Sequence, residues 1–266
     1  MPRKHSSNGF VPKKSLGQNF LVDPKTREKI IVSCHLNSDD NVLEIGPGKG
    51  ALTHGIAAKV KTVTAVEKDG FLAEKLKEAF KESSVSVIHD DILRYPFDSL
   101  LSNTKIIGNL PYNIATPIIE KVFQHREKIH SFYITVQLEY GNRMVAKPDT
   151  KDYSPLSCFI QYYSNAKILF RIKNTCFSPA PKVQSCFLEL TFKDKSQLKS
   201  NDEDFLFKII RQTFQQRRKT LLNALSFAAP KDELEKILSD LKIKSQLRPE
   251  NLTVDDYIKI ADALKK

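Results

Sequence analysis

Asn109-Leu110-Pro111-Tyr112 sets an amide, a stiffened backbone and an aromatic ring within four residues, directly after the apolar run Ile106-Ile107-Gly108. A short strand therefore ends on a polar loop. Proline fixes its own φ and pushes the residue before it, Leu110, into an extended conformation. The Leu110 carbonyl, the Asn109 side chain and the Tyr112 ring are thereby held in a preset arrangement. Two acceptors beside an aromatic face suit the exocyclic amino group of a flat ring. The acceptors take its N–H bonds while the ring stacks on tyrosine. The same tetrapeptide also occurs as a plain strand-exit turn, so its neighbours decide between the two.

Those neighbours are informative. Asn41–Ile45 reads as a strand and is followed at once by Gly46-Pro47-Gly48-Lys49-Gly50. A helical pattern runs through Leu52, Ile56 and Ala57, and the next strand, 62–66, ends on Glu67. Strand, glycine loop, helix, strand and acid are the parts of a nucleotide-binding βαβ unit. Glycines let the backbone approach the ligand, and the acid takes two ribose hydroxyls. This pattern does not by itself choose the cofactor. A third strand, 85–88, ends on Asp90-Asp91-Ile92, where a carboxylate stands either near an adenine amino group or as a solvated acid pair at a turn. Residues 105–108 form the fourth strand, which delivers Asn109 to the same edge, and 132–136 the fifth. Alternating strands and helices predict an α/β fold with a mostly parallel, helix-covered sheet.

The remaining elements frame this core. Asp23-Pro24 opens the first helix as N-cap and first helical residue, after the polar entry Lys13–Leu21. Beyond Leu138 a helical stretch carries Gly141, and a Tyr153-Ser154-Pro155 turn precedes a helix through Tyr163. Strands are expected at 167–172 and 185–192. Between them, Phe177-Ser178-Pro179-Ala180-Pro181 is a stiff loop that either presents Phe177 or anchors it. The charged stretch 193–204 is the expected domain boundary. Helices are expected at 205–225, 231–241 and 253–264, with Arg217-Arg218-Lys219 on the first, as phosphate contacts or as a solvated face.

Composition narrows the class. The chain has 266 residues, of which 41% are hydrophobic, enough for a sizeable core. No stretch approaches the ~20 apolar residues of a membrane span. Residues 1–14 are basic and polar, unlike a secretory signal. Cys34, Cys158, Cys176 and Cys186 show no C-x-x-C spacing, which predicts reduced thiols in the cytoplasm, and the six histidines show no metal-ligand pattern. A net charge of +11 favours a polyanionic partner, nucleic acid ahead of an anionic membrane surface.

Six segments together resemble the KsgA family of bacterial small-subunit ribosomal RNA adenine dimethyltransferases, within the class I S-adenosylmethionine-dependent methyltransferases. They are Lys14–Leu21, Glu44–Gly50, Asn109–Pro117, Phe177–Ser185, Gln216–Leu221 and Arg248–Leu252, so the resemblance runs nearly end to end. It implies a Rossmann-like catalytic domain over residues 1–193, binding S-adenosyl-L-methionine and releasing S-adenosyl-L-homocysteine without a metal. A small helical domain over 200–266 would dock on ribosomal RNA. Asn19 and Leu21 would touch the donor, Gly46 and Gly48 would pass beneath it, Glu67 would hold its ribose and Asp91 its adenine amine. Asn109, Leu110, Pro111 and Tyr112 would hold the target base, with Phe177 on its other face. The implied reaction is dimethylation of N6 on two adjacent adenines near the 3′ end of 16S rRNA in the immature 30S subunit, by a cytoplasmic monomer with no membrane partner. Two other readings are an Erm-type 23S rRNA methyltransferase and a non-catalytic nucleic-acid-binding relative. The chain departs from the family at Tyr153-Ser154-Pro155, where a Tyr-Gly turn is usual, and at Leu138, Tyr140 and Gly141.

Overall fold

The computed structural model describes residues 17–111 and 114–265. Two compact units divide these described residues: those up to 138 with 169–189, and 139–168 with those from 190 on.

The first unit holds the parallel core of the main sheet. Strands β2 (Asn41–Ile45), β3 (Thr62–Glu67), β4 (Val85–His89), β5 (Thr104–Asn109) and β6 (Ile129–Gln137) pair in the order β4-β3-β2-β5-β6. All four of these pairings are parallel, with Ile45 opposite Val66 on one side and Gly108 on the other. Parallel neighbours need crossover helices, and α2 (Thr53–Ala57), α3 (Gly70–Ala79) and α4 (Ala115–Gln124) supply them. Strands β7 (Ser164–Ile172) and β9 (Ser185–Phe192) extend the order beyond β6 to β9-β7. Central strands covered on both faces should be almost wholly apolar, and β5 and β6 are buried along nearly their whole length. Strand order reverses between β2 and β5, because the chain first builds outward through β3 and β4 and then returns. Open α/β sheets bind ligands at such a switch point, outside the carboxyl ends of the strands.

A small antiparallel pair stands apart from this sheet. β1 (Phe20–Leu21) pairs with β8 (Phe177–Ser178), Leu21 opposite Phe177. α1 (Pro24–Ser33) follows, capped as its sequence dictates, with the Asp23 carboxylate accepting from Thr26 N at 2.7 Å.

The second unit is mostly helical, and α5 (Leu138–Val145) leads into it from β6. α6 (Pro155–Tyr163) starts at Ser154, whose N–H donates to Ser157 Oγ at 3.1 Å, so the Ser-Pro departure makes a capped helix start. Its aromatic face packs on α7 (Glu203–Phe214): Phe159, Tyr162 and Tyr163 surround Phe207, and the Tyr163 hydroxyl donates to Glu203 at 2.5 Å. α9 (Lys231–Asp240) and α10 (Val254–Leu264) close this core, with Tyr257 beside Phe214.

Two expectations change here. The helix expected over 205–225 ends at Phe214, and residues 215–219 form turns before the short α8 (Leu221–Ala224). Arg217, Arg218 and Lys219 therefore lie on a turn, not on a helix face. The boundary expected at 193–204 also shifts, since Glu139–Ile168 joins the C-terminal helices. The reason is the aromatic packing of α6 on α7, which joins segments distant in sequence.

Candidate functional site

Four strand ends meet at the switch point and enclose a cleft. β2 brings Ile45, Gly46 and Gly48; β3 brings Val66, Glu67 and Lys68; the segment after β4 brings Asp90, Asp91 and Ile92; β5 brings Asn109, Leu110 and Pro111. Gln18, Asn19 and Phe20 line it from the N-terminal side, and Ile114 and Ile118 from the start of α4.

Glu67 organises the glycine loop. Glu67 is 6% exposed; its Oε2 accepts from Gly48 N at 2.9 Å and Oε1 from Asp69 N at 2.8 Å. Burial pushes its pKa up, while those two backbone donors hold it back. The loop can reach the acid because Gly48 takes φ 61°, in the left-handed region that costs other residues 1–2 kcal/mol. A Cβ on Gly48 would also stand 3.1 Å from the Phe20 ring, whereas one on Gly46 would meet nothing within 4 Å. The floor at Gly46 is open space.

Asp91 forms the far wall. Oδ2 accepts from Lys68 Nζ at 2.7 Å and Oδ1 from Leu93 N at 3.0 Å. Burial opposes its ionisation, but these donors outweigh it and hold the carboxyl below its ordinary pKa. On the near side, Asn109 Nδ2 donates to Asn19 O at 3.0 Å. That bond orients the amide so that Oδ1 is its acceptor. Leu110 N donates to Thr135 O at 3.2 Å, which ties the loop back to β6.

Eight of the expected site residues thus share one cleft: Asn19, Gly46, Gly48, Glu67, Asp91, Asn109, Leu110 and Pro111. Tyr112 lies outside the described residues. Leu21 and Phe177 are placed elsewhere: they face each other across the β1–β8 pair, 6% and 4% exposed, inside the hydrophobic core. Successive strand residues point to opposite faces, so Leu21 is turned to the core and Phe20, not Leu21, lines the cleft. The buried Phe177 ring offers a base no open face in this arrangement. Sequence reading missed Phe20, which this alternation could have indicated. It also missed Lys68, whose partner is 23 residues away, and no local signal pairs the two.

The arrangement suits a ligand with vicinal hydroxyls near Glu67, a hydrogen-bond donor near Asp91 and an apolar body along Ile45, Val66, Ile92 and Ile118. Among the described residues no group of His, Cys, Asp and Glu could hold a metal ion, and no helix is long and apolar enough to cross a membrane.

Known proteins point the same way. Residues 9–266 match the "Ribosomal RNA adenine dimethylase" family. "Ribosomal RNA small subunit methyltransferase A" of Alkaliphilus oremlandii is 40% identical, covering 97% of this chain and 93% of its own. The protein of the same name from Streptococcus pyogenes is 38% identical, covering 97% and 94%. Among solved structures, a dimethyladenosine transferase from Plasmodium falciparum superposes with a TM-score of 0.79 at 26% identity, covering 90% and 95%. The 23S rRNA methyltransferase ErmE, at 0.76 and 23% identity over 93% and 100%, shares the fold. Taken with the near end-to-end relatives, the match over residues 9–266 shows that the chain belongs to the ribosomal RNA adenine dimethylase family.

Proposed function

We propose that this protein uses S-adenosylmethionine to dimethylate N6 of two adjacent adenines near the 3′ end of 16S rRNA, in the immature small ribosomal subunit. One observation carries the reading: Glu67 and Asn109, the last residues of β3 and β5, and Asp91, just past β4, line one cleft with Gly46 and Gly48. The cleft fits the donor on its own chemistry. Glu67 has two oxygens for the ribose hydroxyls, Asp91 has acceptor capacity for the adenine amine, and the open space at Gly46 admits the donor's chain. When bound, S-adenosylmethionine supplies an electrophilic methyl group.

The protein's own task is then to position and orient. Adenine N6 is a poor nucleophile because its lone pair is delocalised into the ring. Asn109 Oδ1 and the Leu110 carbonyl accept its two hydrogens, which favours a pyramidal nitrogen with its lone pair directed at the methyl. Pro111 holds both acceptors in place. These bonds tighten as positive charge develops on the nitrogen, so they stabilise the transition state more than the ground state. No strong general base is needed, because the methylated cationic nitrogen is acidic enough to release its proton to water. A flipped-out base satisfies this geometry; a paired one does not. Retention or rebinding after the first transfer gives the dimethylated product.

Phe177 takes a supporting role here, packing behind Leu21 to hold Asn19 and Phe20 at the cleft. The chain acts as a monomer whose C-terminal helices meet the RNA; its four free cysteines agree with a reducing compartment such as the cytoplasm. Nucleoside mass spectrometry of undermethylated 30S subunits, after incubation with protein and S-adenosylmethionine, tests the proposal. N6,N6-dimethyladenine in 16S rRNA is the expected product. Its absence, or its appearance in 23S rRNA instead, overturns the assignment.

A further inference from the structure

The turn that carries Asp91 is built around a cation from another element. Lys121 sits on α4 and donates to the carbonyls of Ile92 at 3.1 Å, Leu93 at 2.9 Å and Tyr95 at 2.6 Å. Its ammonium also lies 4.8 Å from the centre of the buried Phe97 ring. The turn has its own internal bonds: Arg94 N and Tyr95 N both donate to Asp91 O, at 2.7 and 3.0 Å, and Leu93 N to Asp91 Oδ1. Winding so tightly turns three carbonyls toward one point. A lysine ammonium has three donors radiating from a single atom, which matches that need, while a planar guanidinium does not. Burial lowers the Lys121 pKa, and the nearby charges of Asp90 and Asp91 only partly offset it.

Position on the helix gives this clasp a functional meaning. Ile118, one turn before Lys121 and on the same helix face, lines the cleft together with Asp91 and Ile92. The helix thus supplies an apolar lining residue through Ile118 and fixes the turn that carries the polar one through Lys121. We propose that Lys121 is a positioning residue for recognition of the donor's purine, acting through the 91–95 turn to hold the Asp91 carboxylate where it accepts the 6-amino group. The inference rests on the reading that the donor's adenine lies against Asp91.

The test compares binding of S-adenosylhomocysteine and its inosine counterpart, which has a 6-oxo group, by calorimetry. Wild type should prefer the amino ligand by roughly 10–100-fold, the size of one charge-assisted hydrogen bond. Asp91→Ala should bring that ratio toward one. Lys121→Met, nearly isosteric but without donors, should also bring it toward one, and Lys121→Gln, with two N–H groups, should fall between. Lys121→Arg should not restore it. A merely structural role would lower the melting temperature and weaken both ligands alike, leaving the ratio unchanged. If Asp91→Ala loses discrimination and folded Lys121→Met keeps it, the inference is wrong and the donor site stands. If wild type or Asp91→Ala fails to behave as stated, the placement of adenine at Asp91 falls, and this inference with it. If neither Lys121→Met nor Lys121→Gln folds, the lysine is a structural clasp only and the inference is overturned.

Discussion

Glu67 has two tasks, because the carboxylate proposed for the ribose also fastens Gly48 and Asp69. Glu67→Gln keeps the shape but can accept on only one side, so one of those backbone donors loses its partner. Hydrogen bonds to charged groups are each worth ~1.5–3 kcal/mol, and calorimetry should show S-adenosylmethionine binding weakened by at least tenfold. Unchanged affinity would remove Glu67 from the donor site. A second acid, Glu44 on β2, is 2% exposed, and its Oε2 has no hydrogen-bond partner among the described residues. Burial pushes its pKa from 4.5 up to about 8. Between those two values the folded protein keeps a proton that the unfolded chain releases. Its contribution to stability is full below about pH 4.5 and is lost as pH rises through about 8. Glu44→Gln should flatten that decline in chemical denaturation between about pH 5 and 8, and an identical slope in the variant would mean the acid is ionised when folded.

The glycine loop shows what an element requires beyond composition. Gly48→Ala places a Cβ in the left-handed region and 3.1 Å from Phe20. Denaturant melts should report a loss of roughly 1–2 kcal/mol, accompanied by weaker donor binding; full stability and affinity would show that the loop relaxes freely. This loop was legible in the sequence because glycine spacing and strand periodicity are local signals. So were β2 through β6, Glu67 and the position of Asn109 at a strand end. The fate of Phe177 was not, because its burial depends on pairing with Leu21, 156 positions earlier in the chain. The end of α7 at Phe214 was also hidden: the residues after it are ordinary helix formers, and the break accompanies backbone bonds from Leu221 and Leu222 to Leu247 and Ser245. Lys68 and Lys121 escaped notice for the same reason. A lone lysine has no periodicity, and each acquires its role from a partner that folding supplies.

At the scale of the whole molecule, the +11 charge calls for a polyanion, and the 215–219 turn is one place to meet it. The three cations there are not equivalent. Arg217 lies 3.7 Å from Glu250, donates to Lys151 O at 3.5 Å and rests against the Phe214 ring, so much of its function is to hold its own unit together. Arg218→Ala with Lys219→Ala should flatten the dependence of log affinity for RNA on log salt, by roughly 0.7–0.9 per lost phosphate contact. Arg217→Ala should cost stability more than slope. An unchanged slope in the double variant would make the turn a solvated surface.

The most direct test of the account is the methylation rate of Asn109→Ala on undermethylated 30S subunits, followed by nucleoside mass spectrometry at saturating S-adenosylmethionine. Asn109 ends β5 at the cleft with its Nδ2 anchored on Asn19, so its loss should leave the fold intact and remove an acceptor that works hardest in the transition state. The predicted result is a kcat lower by roughly 10²–10³, with a melting temperature lowered by no more than a few degrees for the lost bond to Asn19. Dimethylation at the wild-type rate would contradict the account, leaving the Asn109–Pro111 loop as nothing more than a strand-exit turn.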